Sequence, residues 1–423
     1  MTYSETLEYI GSLPRFIKGG KSPVERTAEL LSAIGDPHNK LRHIHVTGTN
    51  GKGSVCAMTA ATLTEAGYKT GLFVSPYVYE FGERIQISGV KIKESDAAEY
   101  ATRVKDAAAG LPYVAFDFLF AAAELYFLEK GCDVVVCEVG IGGKNDSTNV
   151  IPPPLCSVVG RVDIDHADLL GGTVRDIALE KAGIIKNPAP AVIYPDQEKE
   201  AMDVLLSVCR KNGVAAVVPD LSRLSDVSFG DGLSFTYKGE TYKTGMCGNC
   251  QAYNAITALE ALAAVSPVLP VPEDAVKHGL LSAYMPARFE RFSYKGITVI
   301  LDGSHNKNGI TALCESINTR YPGGVCALCG MLRDKNPAFS LSPLSGAPIK
   351  NITVTEVTSP RRAAADEVKN SLPVELRNKA TAVSDLKAAF DTALASAKKS
   401  GLPLVVFGSL YLMGDVHRIM SED

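Results

Sequence analysis

The sequence predicts an α/β chain of two units, each built on a mostly parallel sheet, with a small antiparallel patch in the first. Three observations carry this. The run His43-Ile44-His45-Val46 leads through a glycine-rich loop into a helical segment rich in Ala, Met, Leu and Thr, the strand–loop–helix order of a phosphate-binding unit. Later runs such as 133–139 are apolar at nearly every position, as strands covered on both faces are, and they alternate with helical spacing. The chain has 423 residues, more than one ordinary core holds.

Residues 1–35 read as two helices, from the apolar spacing of Glu5-Thr6-Leu7-Glu8-Tyr9-Ile10 and of 24–31, joined by Lys18-Gly19-Gly20-Lys21-Ser22-Pro23. The first strand opens into Thr47-Gly48-Thr49-Asn50-Gly51-Lys52-Gly53-Ser54. Glycine tolerates the dihedrals that let a backbone wrap an anion. The amides of Gly51, Lys52, Gly53 and Ser54 would point at phosphate oxygens, aided by the positive end of the helix, and Lys52 would reach the β/γ-phosphates as a point charge. The common phosphate loop leaves four residues between its first Gly and the Gly-Lys pair; here only two separate Gly48 from Gly51-Lys52.

A second strand at 69–75 runs into Ser75-Pro76-Tyr77, followed by Glu83-Arg84-Ile85. Ser95 reads as the N-cap of an amphipathic helix to 109, and Phe116-Asp117-Phe118 opens an almost wholly apolar, hence buried, helix to 130. The strand at 133–139 carries Glu138 at its carboxyl end, where open α/β sheets bind ligands and where a carboxylate can hold magnesium. The strand at 155–162 leads to Asp163-Ile164-Asp165-His166, so His166 follows a strand end too, with Asp165 able to orient its ring. Strand, helix and strand follow at 192–195, 197–211 and 214–218. Hairpin signals stand at Phe229-Gly230-Asp231-Gly232-Leu233 and Tyr237-Lys238-Gly239-Glu240, and an Ala-rich helix opens at Gly248–Ala255. A border near Met285-Pro286 divides the domain that carries the phosphate loop, 1–286, from a smaller one, 287–423. In the latter, strands at Ile297–Leu301, Val325–Cys329, 352–357 and Leu404–Phe407 alternate with helices, implying a Rossmann-like sheet.

Composition excludes several classes. Hydrophobic residues are 46 % and charged residues 21 %, as in a globular enzyme, and a net charge of −4 offers no broad basic face to nucleic acid. No run approaches the ~18 to 20 apolar residues of a membrane helix, and the acidic start MTYSETLEYIGSLPRF is not a secretory signal. A cytoplasmic location, and reduced thiols for the ten cysteines, are expected. The pairs Cys247/Cys250 and Cys326/Cys329 stand much further apart than the roughly 15 to 20 residues of a zinc ribbon, so the thiols read as small buried hydrophobes.

The compressed loop Thr-Gly-Thr-Asn-Gly-Lys-Gly-Ser resembles that of the Mur ligase superfamily, most closely its folylpolyglutamate synthase and dihydrofolate synthase family. Further motifs follow in that family's order. Ser75-Pro76-Tyr77 stands where the family has Ser-Pro-His. Glu138-Val139-Gly140-Ile141-Gly142-Gly143-Lys144-Asn145-Asp146-Ser147-Thr148-Asn149 is similar to its Glu-Val-Gly-Leu-Gly-Gly-Arg-x-Asp-Ala-Thr-Asn, departing at Ile141, Lys144 and Ser147. Glu180-Lys181-Ala182-Gly183-Ile184-Ile185-Lys186 matches outright, and Gly248-Asn249-Cys250-Gln251 has Cys250 for the family's His. Pro286-Ala287-Arg288-Phe289-Glu290, Asp302-Gly303-Ser304-His305-Asn306 and Gly408-Ser409-Leu410-Tyr411-Leu412 resemble the remaining motifs.

The resemblance implies an ATP-dependent ligase joining L-glutamate to a folate, and also to dihydropteroate. It implies ATP held by Thr49, Asn50, Gly51, Lys52, Gly53, Ser54, Asn254, Arg288 and Asp302, with Asn254 on the adenine and Arg288 on the phosphates. Mg2+ would sit at Ser75, Glu138 and His166, and Lys181 would be carbamylated. Phe116, Asp146 and Ser147 would meet the pteridine, and His305 and Ser409 the glutamate. Lys52, Lys181 and His305 carry the catalytic roles. The partners expected are these small molecules, without nucleic acid or membrane, for a monomer. Rival readings are a Mur-type or cyanophycin-type peptide ligase and a regulatory ATPase that ligates nothing. The 46 residues before Thr47 leave no room for the nucleotide-sugar domain of Mur ligases.

Overall fold

Buried β-branched runs form the centre of the first sheet. The computed structural model describes every residue except Lys18, Asp231 and Asp423; the Lys18 of the interhelical link and the Asp231 of the hairpin signal therefore lie outside the described residues. Strands β1 (His43–Thr47), β2 (Thr70–Phe73), β3 (Ile85–Ile87), β4 (Val90–Lys91), β5 (Val134–Glu138), β6 (Cys156–Val159), β7 (Ala191–Ile193) and β8 (Ala216–Val217) lie in the order β4-β3-β2-β5-β1-β6-β7-β8. From β2 to β8 all neighbours are parallel. Every residue of β1 and β5 is buried, as helices on both faces require. The antiparallel edge strands β3 and β4 have no counterpart in the sequence reading; they are short and half polar, below what periodicity resolves.

Register sets the site. Val46 pairs with Glu138 and Thr47 with Val159, so the carboxyl ends of β5, β1 and β6 lie level. The helix Lys52–Glu65 follows β1 directly and is buried on almost all sides. Helix Ala115–Glu129 is buried continuously from Asp117 to Phe127, and its Phe118, Phe120 and Phe127 pack with Phe73, Val135 and Leu30. Each such side chain contributes about 1.5–3 kcal/mol by leaving water. The two N-terminal helices, Tyr3–Ser12 and Pro23–Ala33, each begin with a capping box, Thr2 with Glu5 and Ser22 with Glu25. Ser95 is not the cap of its helix: the helix runs Glu94–Ala107 with Lys93 at the N-cap, and Glu94 and Asp96 in the first turn meet the helix dipole instead.

Strands β9 (Leu224–Phe229), β10 (Leu233–Tyr237) and β11 (Glu240–Thr244) form the small separate sheet, in the order β11-β10-β9. The remaining strands are β12 (Glu290–Tyr294), β13 (Ile297–Leu301), β14 (Val325–Cys329), β15 (Ile349–Val354), β16 (Ala380–Ala382) and β17 (Leu404–Phe407), in the order β12-β13-β17-β14-β15-β16. All neighbours are parallel except the edge pair β12–β13. β15 begins three residues before the expected 352, because Ile349 already pairs with Val325 across an irregularity at Val325/Cys326.

The chain divides into two compact units. One comprises Met1–Val227, Ser234–Gly245 and Ala252–Tyr284; the other comprises Ser228–Leu233, Met246–Gln251 and Met285–Asp423. In the second, Cys247 joins Phe289, Ile300, Ala327, Cys329 and Phe407 in one core. Cys326 points the other way, toward Ser396 and Ser400 of the helix Leu386–Ser400, as its odd offset from Cys329 demands. All ten cysteines are free.

Candidate active site

The loop after β1 is held open by the segment after β6. Thr49 N and Asn50 N donate to Arg161 O at 2.7 and 3.3 Å, and Thr49 Oγ1 donates to Asp163 O at 2.9 Å. A Cβ on Gly48, at φ +155°, would lie 3.0 Å from Gly160 Cα, so the two backbones touch there. Gly51 is the left-handed N-cap of the helix that carries Lys52, Gly53 and Ser54 in its first turn. A Cβ on Gly51 would lie 2.4 Å from Asn254 Oδ1, so helix Cys250–Val265 brings the expected adenine contact against the loop. Lys52 Nζ donates to Gly48 O at 3.1 Å and lies 3.9 Å from Glu138 Oε1.

The ends of β2 and β5 meet beside it. Ser75 N donates to Glu138 Oε2 at 3.1 Å, and Glu138 is 4 % exposed. A buried carboxylate and a neighbouring hydroxyl at adjoining strand ends are hard oxygen donors of the kind magnesium takes, so this pair fits the ion. His166 is exposed, in a left-handed conformation, 4.0 Å from Asp165 Oδ1. Among the described residues no three His, Cys, Asp or Glu side chains converge as a metal cluster.

Lys181, at the end of helix Val174–Lys181, is 3 % exposed. Burial, then the positive charge of Lys52, pull its pKa down to about 7, against Asp165, Asp146 and Glu180. Gly143 must be glycine here, since a Cβ would lie 2.8 Å from the carbonyl oxygens of Glu180 and Lys181.

The same glycine-rich segment builds a second surface. A Cβ on Gly140 would lie 2.7 Å from Phe116 Cζ and 3.1 Å from Asp146 Oδ2, so ring and carboxylate flank one glycine. Asp146 is buried, which raises its pKa, and accepts from Ile141 N, Thr148 N and Thr148 Oγ1. Ser147 Oγ is turned away: it donates to Asp117 Oδ1 at 2.5 Å, while Asp117 Oδ2 accepts from Arg26 Nε and Val114 N.

In the second unit, the ends of β13 and β17 adjoin, and Gly408 N donates to Ser304 O at 2.9 Å. Asp302 accepts from Phe289 N at 2.9 Å and from Ser304 N and Oγ; burial raises its pKa, and Ser304 and Arg288 oppose the shift. Arg288 stands between two left-handed residues, Ala287 and Phe289, and a Cβ on Gly303 would lie 2.7 Å from its guanidinium. His305 Nδ1 is 2.8 Å from Gly303 O. Ser409 is buried and its Oγ accepts from Tyr411 N at 3.2 Å.

Comparison with known proteins identifies the two domains. The Mur ligase middle domain matches residues 46–262, and the Mur ligase glutamate ligase domain matches residues 287–410. A folylpolyglutamate synthase of Lacticaseibacillus casei is 33 % identical, covering 99 % of both chains. The chain belongs to the folylpolyglutamate and dihydrofolate synthase family of Mur ligases. A dihydrofolate synthase/folylpolyglutamate synthase of Bacillus subtilis is 30 % identical over 98 % of both chains. The crystal structure of a Mycobacterium tuberculosis folylpolyglutamate synthase, complexed with ADP and AMPPCP, aligns with 100 % of this chain and 98 % of its own, at a TM-score of 0.89 and 26 % identity.

Against the folylpolyglutamate synthase pattern, two departures gain physical content. The Tyr77 ring is 43 % exposed, lies edge-on to Phe81, and carries Arg84 at 5.1 Å over its face. The Cys250 thiol is pushed up to about 12 by burial, so it stays protonated and does not replace an imidazole as a base. Sequence reasoning missed His45, Asp117, Glu124 and Thr148, which are all buried and bonded. The signals available were a charged residue inside an apolar helix, at Asp117 and Glu124, and two histidines on one face of a strand, His43 and His45.

Proposed function

We propose that this chain ligates L-glutamate to folates at the cost of ATP, and that it also accepts dihydropteroate, through an acyl phosphate. It is an ATP-dependent ligase. The observation that carries the reading is the phosphate loop at the end of β1, with Asn254 against Gly51, in a chain that aligns end to end with folylpolyglutamate synthases. An amine does not displace hydroxide from a carboxylate at neutral pH. The substrate carboxylate therefore first attacks the γ-phosphorus, and the bond to the β-phosphate oxygen breaks as ADP leaves. The glutamate amine then attacks the acyl carbon; phosphate departs with the bonding electrons, the nitrogen loses a proton, and an amide remains.

Gly51, Lys52, Gly53 and Ser54 bind the phosphates through backbone N–H groups, Thr49 and Asn50 shape the loop through their bonds to Arg161 O, and Lys52 and Arg288 offset charge on the transferring group. Asn254 offers donor and acceptor to adenine, and Asp302 completes the nucleotide contacts. Ser75, Glu138 and His166 would hold Mg2+, which when bound neutralises phosphate charge. Lys181 has a neutral amine available near pH 7, able to form an N–C bond to CO2 with loss of a proton, giving an anionic carbamate. Phe116 stacks on the pteridine while Asp146 meets its polar edge, the Ser147 hydroxyl being engaged by Asp117 instead, and His305 and Ser409 orient the glutamate. Holding the reactants in register supplies ~7–11 kcal/mol of the barrier.

Dihydropteroate use is supported by the pairing of Phe116 with Asp146 across Gly140, and by the two activities in the name of the Bacillus subtilis relative. We further propose a monomer acting in the cytoplasm without membrane or nucleic-acid partner; among the described residues no helix is long and apolar enough to cross a membrane. The test is ADP release with ATP, L-glutamate and either tetrahydrofolate or dihydropteroate, each omitted in turn. Release that needs both organic substrates is expected. Release that needs neither would leave a regulatory ATPase.

A further inference from the structure

We infer that His45 and Thr148 are positioning residues for the pteridine: a buried donor chain runs from the His45 ring through the Thr148 hydroxyl to Asp146 and fixes that carboxylate as an acceptor beside Phe116. This rests on the proposed reading of Asp146 as a pteridine contact.

The geometry dictates the direction of the chain. Thr148 Oγ1 donates to Asp146 Oδ1 at 2.6 Å, which uses its single hydroxyl hydrogen. His45 Nε2 lies 2.8 Å from the same Oγ1 and must therefore be the donor there. The ring is then the neutral tautomer with its hydrogen on Nε2. Two further observations agree: His45 Nδ1 is a buried atom with no hydrogen-bond partner, as a bare lone pair allows, and burial holds the imidazole pKa well below its ordinary value. His45 and Thr148 are fully buried and Asp146 is 6 % exposed, so water does not compete along the chain.

The consequence falls on the carboxylate. Thr148 N also donates to Oδ1, at 3.0 Å, which draws that oxygen inward. Oδ2 takes Ile141 N at 2.9 Å and is left at Gly140, across which Phe116 stands. A pteridine ring presents adjacent N–H donors along its pyrimidine edge, and an acceptor-only carboxylate beside an aromatic face matches them. Without the Thr148 hydroxyl, burial would favour the protonated acid, which offers a donor where an acceptor is needed. Asp117 holds Ser147, and so the same turn, from the other side, which leaves the chain from His45 separable from the fold of the turn.

His45 also lies two residues before Thr47, at the entry to the phosphate loop, and this makes the test discriminating. In the full-length enzyme, KM for tetrahydrofolate and KM for ATP are measured for Thr148→Val, Thr148→Ser, His45→Leu, His45→Gln and Asp146→Asn, with thermal melts as the check on folding. Thr148→Val and His45→Leu are expected to raise the folate KM about tenfold or more, with the ATP KM within about twofold of the parent. Thr148→Ser and His45→Gln keep a donor at each point and are expected to restore most of the loss. A parallel rise in both KM values, or serine and glutamine variants no better than valine and leucine, would overturn the inference and leave a structural network only. Should one valine or leucine variant fail to fold, the other decides by the same comparison; failure of both to fold would likewise mark the network as structural. An unchanged folate KM in Asp146→Asn would instead remove the pteridine reading itself.

Discussion

At the scale of single residues, charge placed out of water explains most of the site. Lys181 is a buried amine with its pKa near 7 against an ordinary 10.5. Between these values the unfolded chain holds a proton that the folded chain has released, so this group makes stability rise with pH, by up to ~1.4 kcal/mol per unit. Below about pH 7 both states are protonated and the full cost of burial remains. Lys181→Met should therefore raise the melting temperature most at pH 7, with the gain shrinking toward pH 10, in buffers freed of CO2. A gain that does not vary with pH would contradict the buried neutral amine. Lys52 has a different proposed role, as the side chain that reaches the phosphates. Lys52→Ala should lower ATP turnover at least about a hundredfold while the melting temperature stays within a few degrees. Near-normal turnover would remove the phosphate-loop assignment.

At the scale of elements, the glycine-rich segment after β5 does two jobs because its bare Cα atoms admit neighbours on both sides. Gly143 seats the end of the Lys181 helix, and Gly140 lets Phe116 approach Asp146. Gly140→Ala should drive the ring from the carboxylate and weaken folate binding far more than ATP binding, and Phe116→Ala should do the same by removing the stacking face. Equal weakening of both ligands, read by calorimetric titration, would take Phe116 out of the pteridine site. Helix Ala115–Glu129 is anchored by a buried pair, with Arg26 Nε 3.2 Å from Asp117 Oδ2. Asp117→Ala leaves that guanidinium buried beside no carboxylate and should destabilise the fold by about 3–5 kcal/mol in urea melts.

At the scale of the whole molecule, the two units are not consecutive in the chain. Met246–Gln251 belongs with Met285–Asp423, where Cys247 packs on Phe289 and Asn249 N donates to Ser316 Oγ at 3.0 Å. A fragment beginning at Met285 lacks those contacts and should melt below the corresponding transition of the full chain. An identical transition would mean that the segment contributes nothing to the second core.

How much could be read in advance depended on the range of the interaction. β1, β5 and four strands of the second unit, β13, β14, β15 and β17, were legible because apolar runs need no partner to be recognised, and the loop from Thr47 to Ser54 because its glycines answer a local backbone demand. The edge strands β3, β4, β12 and β16 were not, since half-exposed short strands exist only by pairing. The sequence by itself determined the fold class, the family and the motifs that carry it, for these are properties of neighbours along the chain. Only the tertiary structure decided that Gly140 separates Phe116 from Asp146, that Ser147 serves Asp117, and that His45 reaches Asp146 through Thr148. Those are hydrogen bonds and contacts between residues up to about a hundred positions apart, made specific by burial, and no pattern of adjacent residues encodes them.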